Sequence, residues 1–475
     1  MIFTTSQFVL FFALFAALYF ATRGRARKVV LLIGSYAFYA SWSAKLSLLL
    51  ATSTLLDFVV GRAVHAAEDP TRRRRLLWVS LSGNLGILGV AKYYDFFVVS
   101  AGQALTGLGV EVHPTTLDLV LPVGISFYTF QTMSYTLDIY RRELRPTSSL
   151  LDFANFVAFF PQLVAGPIER AKHLLPQMKA VGTARDGDSS GWALIAMGVF
   201  KKAVIADHMA TVVEATYQQP ADVYAPALWL GTYAFAVQIY CDFSGYSDIA
   251  VGVGRLMGVD LMQNFRNPYG ALGPRDFWRR WHISLSTWLR DYVYIGLGGN
   301  RRGARRTQIN LAATMLLGGL WHGAAWTFVA WGAYHGALLA VARVRALAEP
   351  LCRLPRVVRR LGFFHLVCLG WVPFRAESWS DARTILRTLL NPAGWDVGPW
   401  FTRVVAAGEA RYLGLIAIVL AATVVVQWRD GGSDDLAARI WRAPWVVRAG
   451  FVGTLLVAAV LLAPETRPPF VYFQF

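Results

Sequence analysis

His322 is the residue whose surroundings most favour chemistry. It lies in segment 318–326, between tryptophans and small residues, and no Lys, Arg, Asp or Glu occurs between Arg306 and Arg343. A helical crossing needs about 20 residues, so this stretch can cross a membrane twice, with His322 near the turn or at mid-depth. An ionisable ring there is costly and is tolerated where it has a partner or a cavity. We therefore predict a functional site at His322; a structural histidine hydrogen-bonded between helices is the alternative.

Acyl transfer is the chemistry that suits one imidazole with no metal-ligand cluster and no serine nucleophile elbow. An imidazole can take a proton from an attacking hydroxyl. The tryptophan and glycine neighbours would exclude water and admit an extended acyl donor. A charged donor such as a coenzyme A thioester would enter from the cytoplasm, where arginines can bind its phosphates.

Segment 274–295 is predicted to be one amphipathic helix lying in the membrane interface. It contains an apolar stripe at helical spacing and an adjoining face with His282 at its second position. A basic helix at the lipid headgroups is the alternative to a catalytic role. The stripe consists of Trp278, Trp281, Leu285, Trp288, Leu289 and Tyr292, and the adjoining face of Arg279, His282, Ser286 and Arg290.

Segment 241–248 is unusually polar beside an apolar helix. Asp242 and Asp248 could orient a catalytic group or bind structural partners, and the sequence favours the structural role. The following Gly252-Val253-Gly254 does not continue the dinucleotide fingerprint and has no βαβ context, which excludes a Rossmann site.

Three other histidines, His173, His208 and His335, are predicted to be structural. His335 lies 13 residues after His322, so on a straight helix it would face roughly the opposite way. His173 lies in a basic loop and His208 follows Asp207, and local hydrogen bonds would explain both.

Composition indicates a membrane protein. Of the 475 residues, 55% are hydrophobic and 16% charged, and the net charge of +17 comes from short basic clusters between apolar runs. These clusters are typical of cytoplasmic loops under the positive-inside rule, and nucleic-acid binding is not expected. The three cysteines are far apart, so we expect neither a disulfide framework nor a metal site.

The positions of the basic clusters also predict the direction in which the segments cross the membrane. Segment 7–21 has no basic residue before it and several after it, so we predict a retained first helix with its N-terminus outside. The C-terminus is also predicted outside, which requires an even number of crossings, about ten or twelve. Segments 29–40, 46–60 and 76–99 are predicted crossings, 102–116 a loop, and 153–164 either re-entrant or spanning. No internal repeat is found, which disfavours a secondary transporter.

Several long motifs, in order, resemble the membrane-bound O-acyltransferase (MBOAT) family, in its bacterial alginate O-acetyltransferase branch. The resemblance covers nearly the whole chain, and neither of the family's two histidine positions departs from the pattern. The motifs are segments 122–130, 159–168, 242–248, 264–269, 278–292 and 321–323.

The resemblance implies an all-α polytopic fold, a ring of tilted helices around a central tunnel, as one domain over residues 1–475. It implies that His322 is the catalytic histidine and His282 the second motif histidine. It also implies a multi-pass protein of the bacterial inner membrane, with acetyl-CoA as donor and no permanently bound cofactor. Extracytoplasmic polysaccharide O-acetylation proteins would be its partners, besides membrane lipids. Candidate donor-path residues are Arg279, Arg280, Trp281, Ser286 and Arg290, and candidate tunnel residues are Asp242, Ser244, Asp248, Trp321 and Trp326.

The C-terminal tail, residues 464–475, contains a Phe-x-Tyr-x-x-Phe pattern from Phe470 to Phe475. This pattern resembles the end of a small peptide that acts in teichoic-acid D-alanylation. Tyr472 is therefore a candidate acyl acceptor, activated by His322. An aromatic anchor at the membrane interface is the alternative.

Other functions remain open at this point. A transporter of lipid-linked saccharides would tolerate loss of His322, and a scaffold of a secretion complex would not cleave thioesters. Within acyl transfer, D-alanyl transfer and peptidoglycan O-acetylation are the rivals, and the sequence does not name the polymer.

Overall fold

The computed structural model describes residues 1–119, 124–183, 187–391, 410–429, 431–464, 468 and 470–471. Every regular element in these ranges is helical, as predicted for an all-α membrane protein. The described chain divides into two compact units, residues 1–192 with 249–262, and residues 193–248 with 263–475. The prediction of one transmembrane domain is not tested by this division.

The first unit contains the N-terminal helices. The longer helices come first and the shorter ones follow. The π-turn Gly89–Tyr93 separates helix Pro70–Leu88 from helix Tyr94–Gly107. The helices are Ser6–Ala21, Gly24–Ala40, Ala44–Ala66, Pro70–Leu88, the π-turn Gly89–Tyr93, Tyr94–Gly107, Ile125–Tyr140, Leu150–Ala158, Phe160–Leu163 and Ala171–Ala180.

The second unit contains both predicted site histidines. The long helix Ala225–Leu256 contributes to both units. The remaining helices are Gly191–Phe200, which begins in the first unit, then the π-turn Lys201–Ala206, Asp207–Tyr217, Pro220–Asp222, Pro268–Gly270, Pro274–Trp278, Ile283–Trp288, the π-turn Leu289–Tyr294, Gly303–His322, Trp326–Val341, Arg345–Arg353, Arg356–Arg375, Trp379–Leu390, Ala410–Gln427, Ser433–Trp441 and Trp445–Leu461.

Three described helices are long and apolar enough to cross a membrane, Ala44–Ala66, Pro70–Gly107 and Arg356–Arg375. Shorter apolar helices include Ser6–Ala21 and Trp445–Leu461. The number of crossings and the placement of the termini remain predictions.

One predicted boundary in the first unit is wrong. The helix that contains the crossing predicted at 76–99 continues to Gly107, so the loop predicted from Gly102 begins later. Lys92 lies within the π-turn Gly89–Tyr93, where the chain stays helical.

Buried polar side chains in the first unit satisfy one another. Asp57 accepts hydrogen bonds from Asn84 at 2.7 Å and Thr136 at 2.9 Å, and also from Ser80. These residues belong to three different helices, each of which would otherwise present a polar group to an apolar environment. The network therefore links three helices of this unit.

A tight helical hairpin in the second unit contains His322. Helix Gly303–His322 meets helix Trp326–Val341 after three residues. A Cβ on Gly319 would lie 2.2 Å from the carbonyl oxygen of Phe328, and one on Gly332 would lie 2.4 Å from that of Met315. The two backbones can approach this closely only because both positions are glycine.

Candidate functional site

His322 is the last residue of helix Gly303–His322 and is 6% exposed. Its position at the turn of the hairpin is one of the two that the sequence allowed. Aromatic rings enclose it, with centroid distances of 4.9 Å to Trp321, 5.0 Å to Trp331 and 5.3 Å to Phe374. Trp321, a predicted tunnel residue, thus lies beside His322, whereas Trp331 and Phe374 were missed because they come from the following helices.

His282 lies beside His322, with 6.4 Å between ring centroids and 5.8 Å from His282 to Trp321. It is fully buried, and its other close ring neighbour is Phe243 at 4.7 Å. The structure therefore brings the two motif histidines together. Their roles in the reaction remain predictions.

The continuous helix predicted over 274–295 is wrong. His282 has φ of +42° and ψ of +56°, a left-handed conformation that separates helix Pro274–Trp278 from helix Ile283–Trp288. A left-handed residue cannot continue an α-helix. The break buries His282 instead of placing it on an exposed face with Arg279.

Asn264 orients His282. Its Oδ1 lies 3.3 Å from His282 Nδ1 and accepts from Ser284 Oγ at 2.6 Å. Its Nδ2 donates to Ser247 Oγ at 3.2 Å, and its carbonyl oxygen accepts from the Ile283 amide. Because an amide oxygen only accepts, this bond places a proton on Nδ1 and leaves Nε2 as the acceptor of the neutral ring. Asn264 is the first residue of the motif at 264–269 but was not predicted as a site residue.

His335 also reaches this cluster, which corrects its predicted direction. Its ring lies 4.9 Å from Trp331, the same ring that contacts His322. A spacing of 13 residues places His335 opposite His322 only on one straight helix. The turn at 323–325 instead folds the chain back. His335 is fully buried, stacks on Phe277 at 6.0 Å and has no hydrogen-bond partner at either ring nitrogen among the described residues.

Asp242 pairs with Lys202 and binds the C-terminal segment. Its Oδ1 lies 2.8 Å from Lys202 Nζ, and its Oδ2 accepts from the Val471 amide at 2.7 Å. Lys202 also pairs with Asp207 at 2.7 Å. Lys202 was missed, although a lysine inside an apolar segment is a signal that could have found it.

Asp248 and Ser244 lie on the same helix as Asp242. Asp248 pairs with Lys201 at 2.7 Å, and Lys201 also donates to Ser433. Ser244 is buried, and its hydroxyl has no hydrogen-bond partner within the described ranges. A Cβ on Gly245 would lie 2.7 Å from the carbonyl oxygen of Gly198, so this helix packs closely against the lysine-bearing segment.

The predicted donor-path residues do not share one environment. Arg279 and Arg290 are exposed, and Arg290 pairs with the adjacent Asp291. Three others are wholly or partly buried: Arg280 pairs with Asp276, Ser286 donates to the carbonyl oxygen of Trp281, and Trp281 packs 4.9 Å from Trp371.

Of two further predicted positions, one is exposed and the other is not described. Trp326 is 58% exposed, unlike the buried Trp321. Tyr472 lies outside the described residues, and Val471, the residue before it, is buried.

Two of the remaining histidines, His173 and His208, bond locally as predicted. His173 Nδ1 lies 2.8 Å from Glu169 Oε2, and His208 Nδ1 lies 2.7 Å from the Val204 carbonyl oxygen. The Glu169 hydrogen bond is the main cause of a raised His173 pKa, and burial opposes it. Among the described residues, no group of His, Cys, Asp and Glu has the arrangement of a metal site.

The apolar helices indicate a helical membrane protein, and the described chain encloses a buried histidine pair in aromatic rings. The MBOAT, membrane-bound O-acyltransferase family model matches residues 141–350. The chain is 39% identical to a probable alginate O-acetylase AlgI of Pseudomonas putida and 40% identical to one of Azotobacter vinelandii, over 100% of both chains in each case. It is 35% identical to a peptidoglycan O-acetyltransferase of Helicobacter pylori, over 77% of this chain and 74% of that protein.

The chain belongs to the membrane-bound O-acyltransferase family and is a membrane-embedded acyltransferase. The names of these relatives support O-acetyl transfer within that family.

Proposed function

We propose that this protein takes acetyl groups from cytoplasmic acetyl-CoA and delivers them across the bacterial inner membrane for O-acetylation of an exopolysaccharide such as alginate, with His322 as general base. The observation that carries the proposal is the buried, aromatic-enclosed pair His322 and His282 in a chain with full-length alginate O-acetylase relatives. The aromatic enclosure supports the exclusion of water, which would otherwise hydrolyse the thioester.

The reaction requires one base near the acceptor. His322 takes the proton of an acceptor hydroxyl while the oxygen attacks the thioester carbonyl. A carbon–oxygen bond forms, the carbon–sulfur bond breaks, and the proton passes from His322 to the departing thiolate. His282, oriented by Asn264, presents Nε2 of its neutral ring as an acceptor.

Tyr472 is the proposed first acceptor of the acetyl group. The buried Phe470 and Val471 support this role, because Phe470 packs 6.2 Å from Phe243 and Phe243 lies 4.7 Å from His282. The acylated tyrosine would then pass the group to an extracytoplasmic O-acetylation partner. Intact-mass measurement of Tyr472→Phe protein incubated with acetyl-CoA tests this step, and an undiminished acyl-enzyme would eliminate it.

Release of free thiol from acetyl-CoA by the purified protein tests the reaction itself. We expect turnover by the wild type and a loss of at least ~100-fold in His322→Ala, the usual contribution of a general base. His208→Ala is the matched control, because His208 bonds locally to Val204. Full turnover in His322→Ala, or saccharide transport without thiol release, would overturn the proposal.

The identity of the acetylated polymer is tested in cells. In a strain that carries His322→Ala, the proposed function predicts that an exopolysaccharide loses its O-acetyl groups while peptidoglycan retains them. Peptidoglycan acetylation is the second candidate, supported by the 35% identical Helicobacter pylori relative. Loss confined to peptidoglycan would select that candidate. Acceptance of a D-alanyl carrier-protein thioester in place of acetyl-CoA would select D-alanyl transfer.

A further inference from the structure

We propose that Asp242 and Lys202 form a clamp that fixes the backbone of the C-terminal segment beside the histidine pair. Asp242 is a positioning residue in this proposal, because it acts through the segment it holds. The role is distinct from lining a tunnel. It deepens the proposed function and rests on it for the chemistry of Tyr472, but the clamp itself is defined by described residues alone.

The clamp binds the segment by its backbone at two points. The Val471 amide donates to Asp242 Oδ2 at 2.7 Å, and Lys202 Nζ donates to the Pro468 carbonyl oxygen at 3.4 Å. Phe470, between these two points, is 1% exposed and lies 5.0 Å from the ring of Tyr246. A polar contact therefore holds the segment on each side of a buried aromatic anchor.

The charged groups of the clamp pair with one another and with the segment. Lys202 Nζ lies 2.7 Å from Asp207 Oδ1 and 2.8 Å from Asp242 Oδ1, and it donates to the Pro468 carbonyl oxygen at 3.4 Å. The other oxygen of Asp242, Oδ2, accepts from the Val471 amide. Asp242 and Lys202 are 1% and 7% exposed. A hydrogen bond from a backbone amide to a buried, ion-paired carboxylate is stronger than one between neutral groups.

Two consecutive residues of helix Ala225–Leu256, Asp242 and Phe243, connect the clamp to the histidines. Asp242 is followed by Phe243, whose ring lies 4.7 Å from His282 and 6.2 Å from Phe470. The segment that the clamp holds therefore reaches the histidine pair through one intervening ring. A segment released from Asp242 would lose this placement without any change to His282 or His322.

Hydrogen–deuterium exchange at the C-terminal peptide of the full-length protein in detergent tests the clamp. We expect exchange at Val471 to be roughly tenfold to a hundredfold faster in Asp242→Ala, the effect of losing a hydrogen bond to a charged group. Asp242→Asn, which keeps one acceptor oxygen and the packing, should fold even where Asp242→Ala does not and should show a smaller increase.

Asp248→Ala is the matched control. It removes a buried ion pair from the same helix, but Asp248 pairs with Lys201, whereas the Val471 amide donates to Asp242. Exchange at Val471 should therefore stay at the wild-type rate. Unchanged exchange in folded Asp242→Ala and Asp242→Asn, or an equal increase in Asp248→Ala, would overturn the clamp.

Kinetics separate the clamp from the chemistry of the tail. Release of the tail should lower the rate of its acylation in Asp242→Asn at saturating acetyl-CoA and leave the KM for acetyl-CoA unchanged, because the proposed clamp positions the acceptor and not the donor. A purely structural defect would change both. If wild-type protein forms no tail acyl adduct, the tyrosine relay fails, but the exchange measurement still decides the clamp.

Discussion

The side-chain oxygen of Asn264 lies 3.3 Å from Nδ1 of His282, and the same oxygen accepts a hydrogen bond from Ser284 at 2.6 Å. Asn264 and His282 are 18 residues apart in the chain and come from the two sides of helix Pro274–Trp278. The second motif histidine is therefore held by a residue that precedes the whole broken segment.

Replacing Asn264 by alanine should lower kcat by roughly tenfold to a hundredfold, the equivalent of ~1–3 kcal/mol for a buried polar group without its partner. The His282 ring would lose the bond that places its proton on Nδ1. Thiol release from acetyl-CoA measures kcat. Ser284→Ala is the control, since it removes the hydroxyl bond to the same oxygen and leaves the histidine contact. An equal loss there would contradict the role of Asn264.

Gly319→Ala should destabilise the hairpin that holds His322. Its Cβ would meet the Phe328 carbonyl oxygen at 2.2 Å, and overpacking of this kind costs about 1–3 kcal/mol. Thermal unfolding in detergent measures the loss. In Gly336→Ala the nearest atom lies at 3.4 Å, an ordinary contact, so that variant should unfold at or above the wild-type temperature. A lower Tm in Gly336→Ala than in Gly319→Ala would contradict the assigned close approach.

His335→Phe should retain most of the acyltransferase activity, because His335 stacks on Phe277 and another ring can fill its place. His322→Phe should lose at least ~100-fold, because it removes the proposed base. Thiol release and thermal unfolding, measured together on both variants, separate activity from folding. A matching loss in the two variants at unchanged Tm would give His335 a chemical role.

His173 should make stability depend on pH. Its pKa is raised in the folded state, chiefly by the hydrogen bond with Glu169, so its contribution is fully present below the ordinary histidine value of about 6.5 and is lost as pH rises through the raised value. The difference in Tm between wild type and His173→Gln should be greatest near the acidic end of this window and shrink on alkalinisation. A difference that grows with pH would contradict the assignment.

Much of the fold could be predicted from the sequence, since apolar runs and basic clusters report crossings directly. The helices around 7–21, 29–40 and 46–60 are present with extended ends. The positions at which helices break could not be predicted from these patterns. Helical spacing in 274–295 is nearly ideal, but the left-handed His282 depends on tertiary bonds to Asn264, which no periodicity reports.

The site was predicted in part. Both histidines and Trp321 came from motifs and unusual polarity in an apolar context. Phe374, Trp331 and Phe470 look like ordinary core residues in the sequence, and only folding brings them to the histidines or to Phe243. Lys202 was detectable by its charge, but its pairing with Asp242 required the structure.

Because His282 has a left-handed backbone conformation, mutating it tests the function of its side chain less directly than mutating His322 does. His322 ends a regular helix, so an alanine there removes the imidazole and little else. At position 282 most side chains must bear backbone strain, whereas asparagine and glycine adopt this conformation readily. Loss of function in His282→Ala would therefore combine a missing ring with a strained turn. His282→Asn is the substitution that isolates the ring.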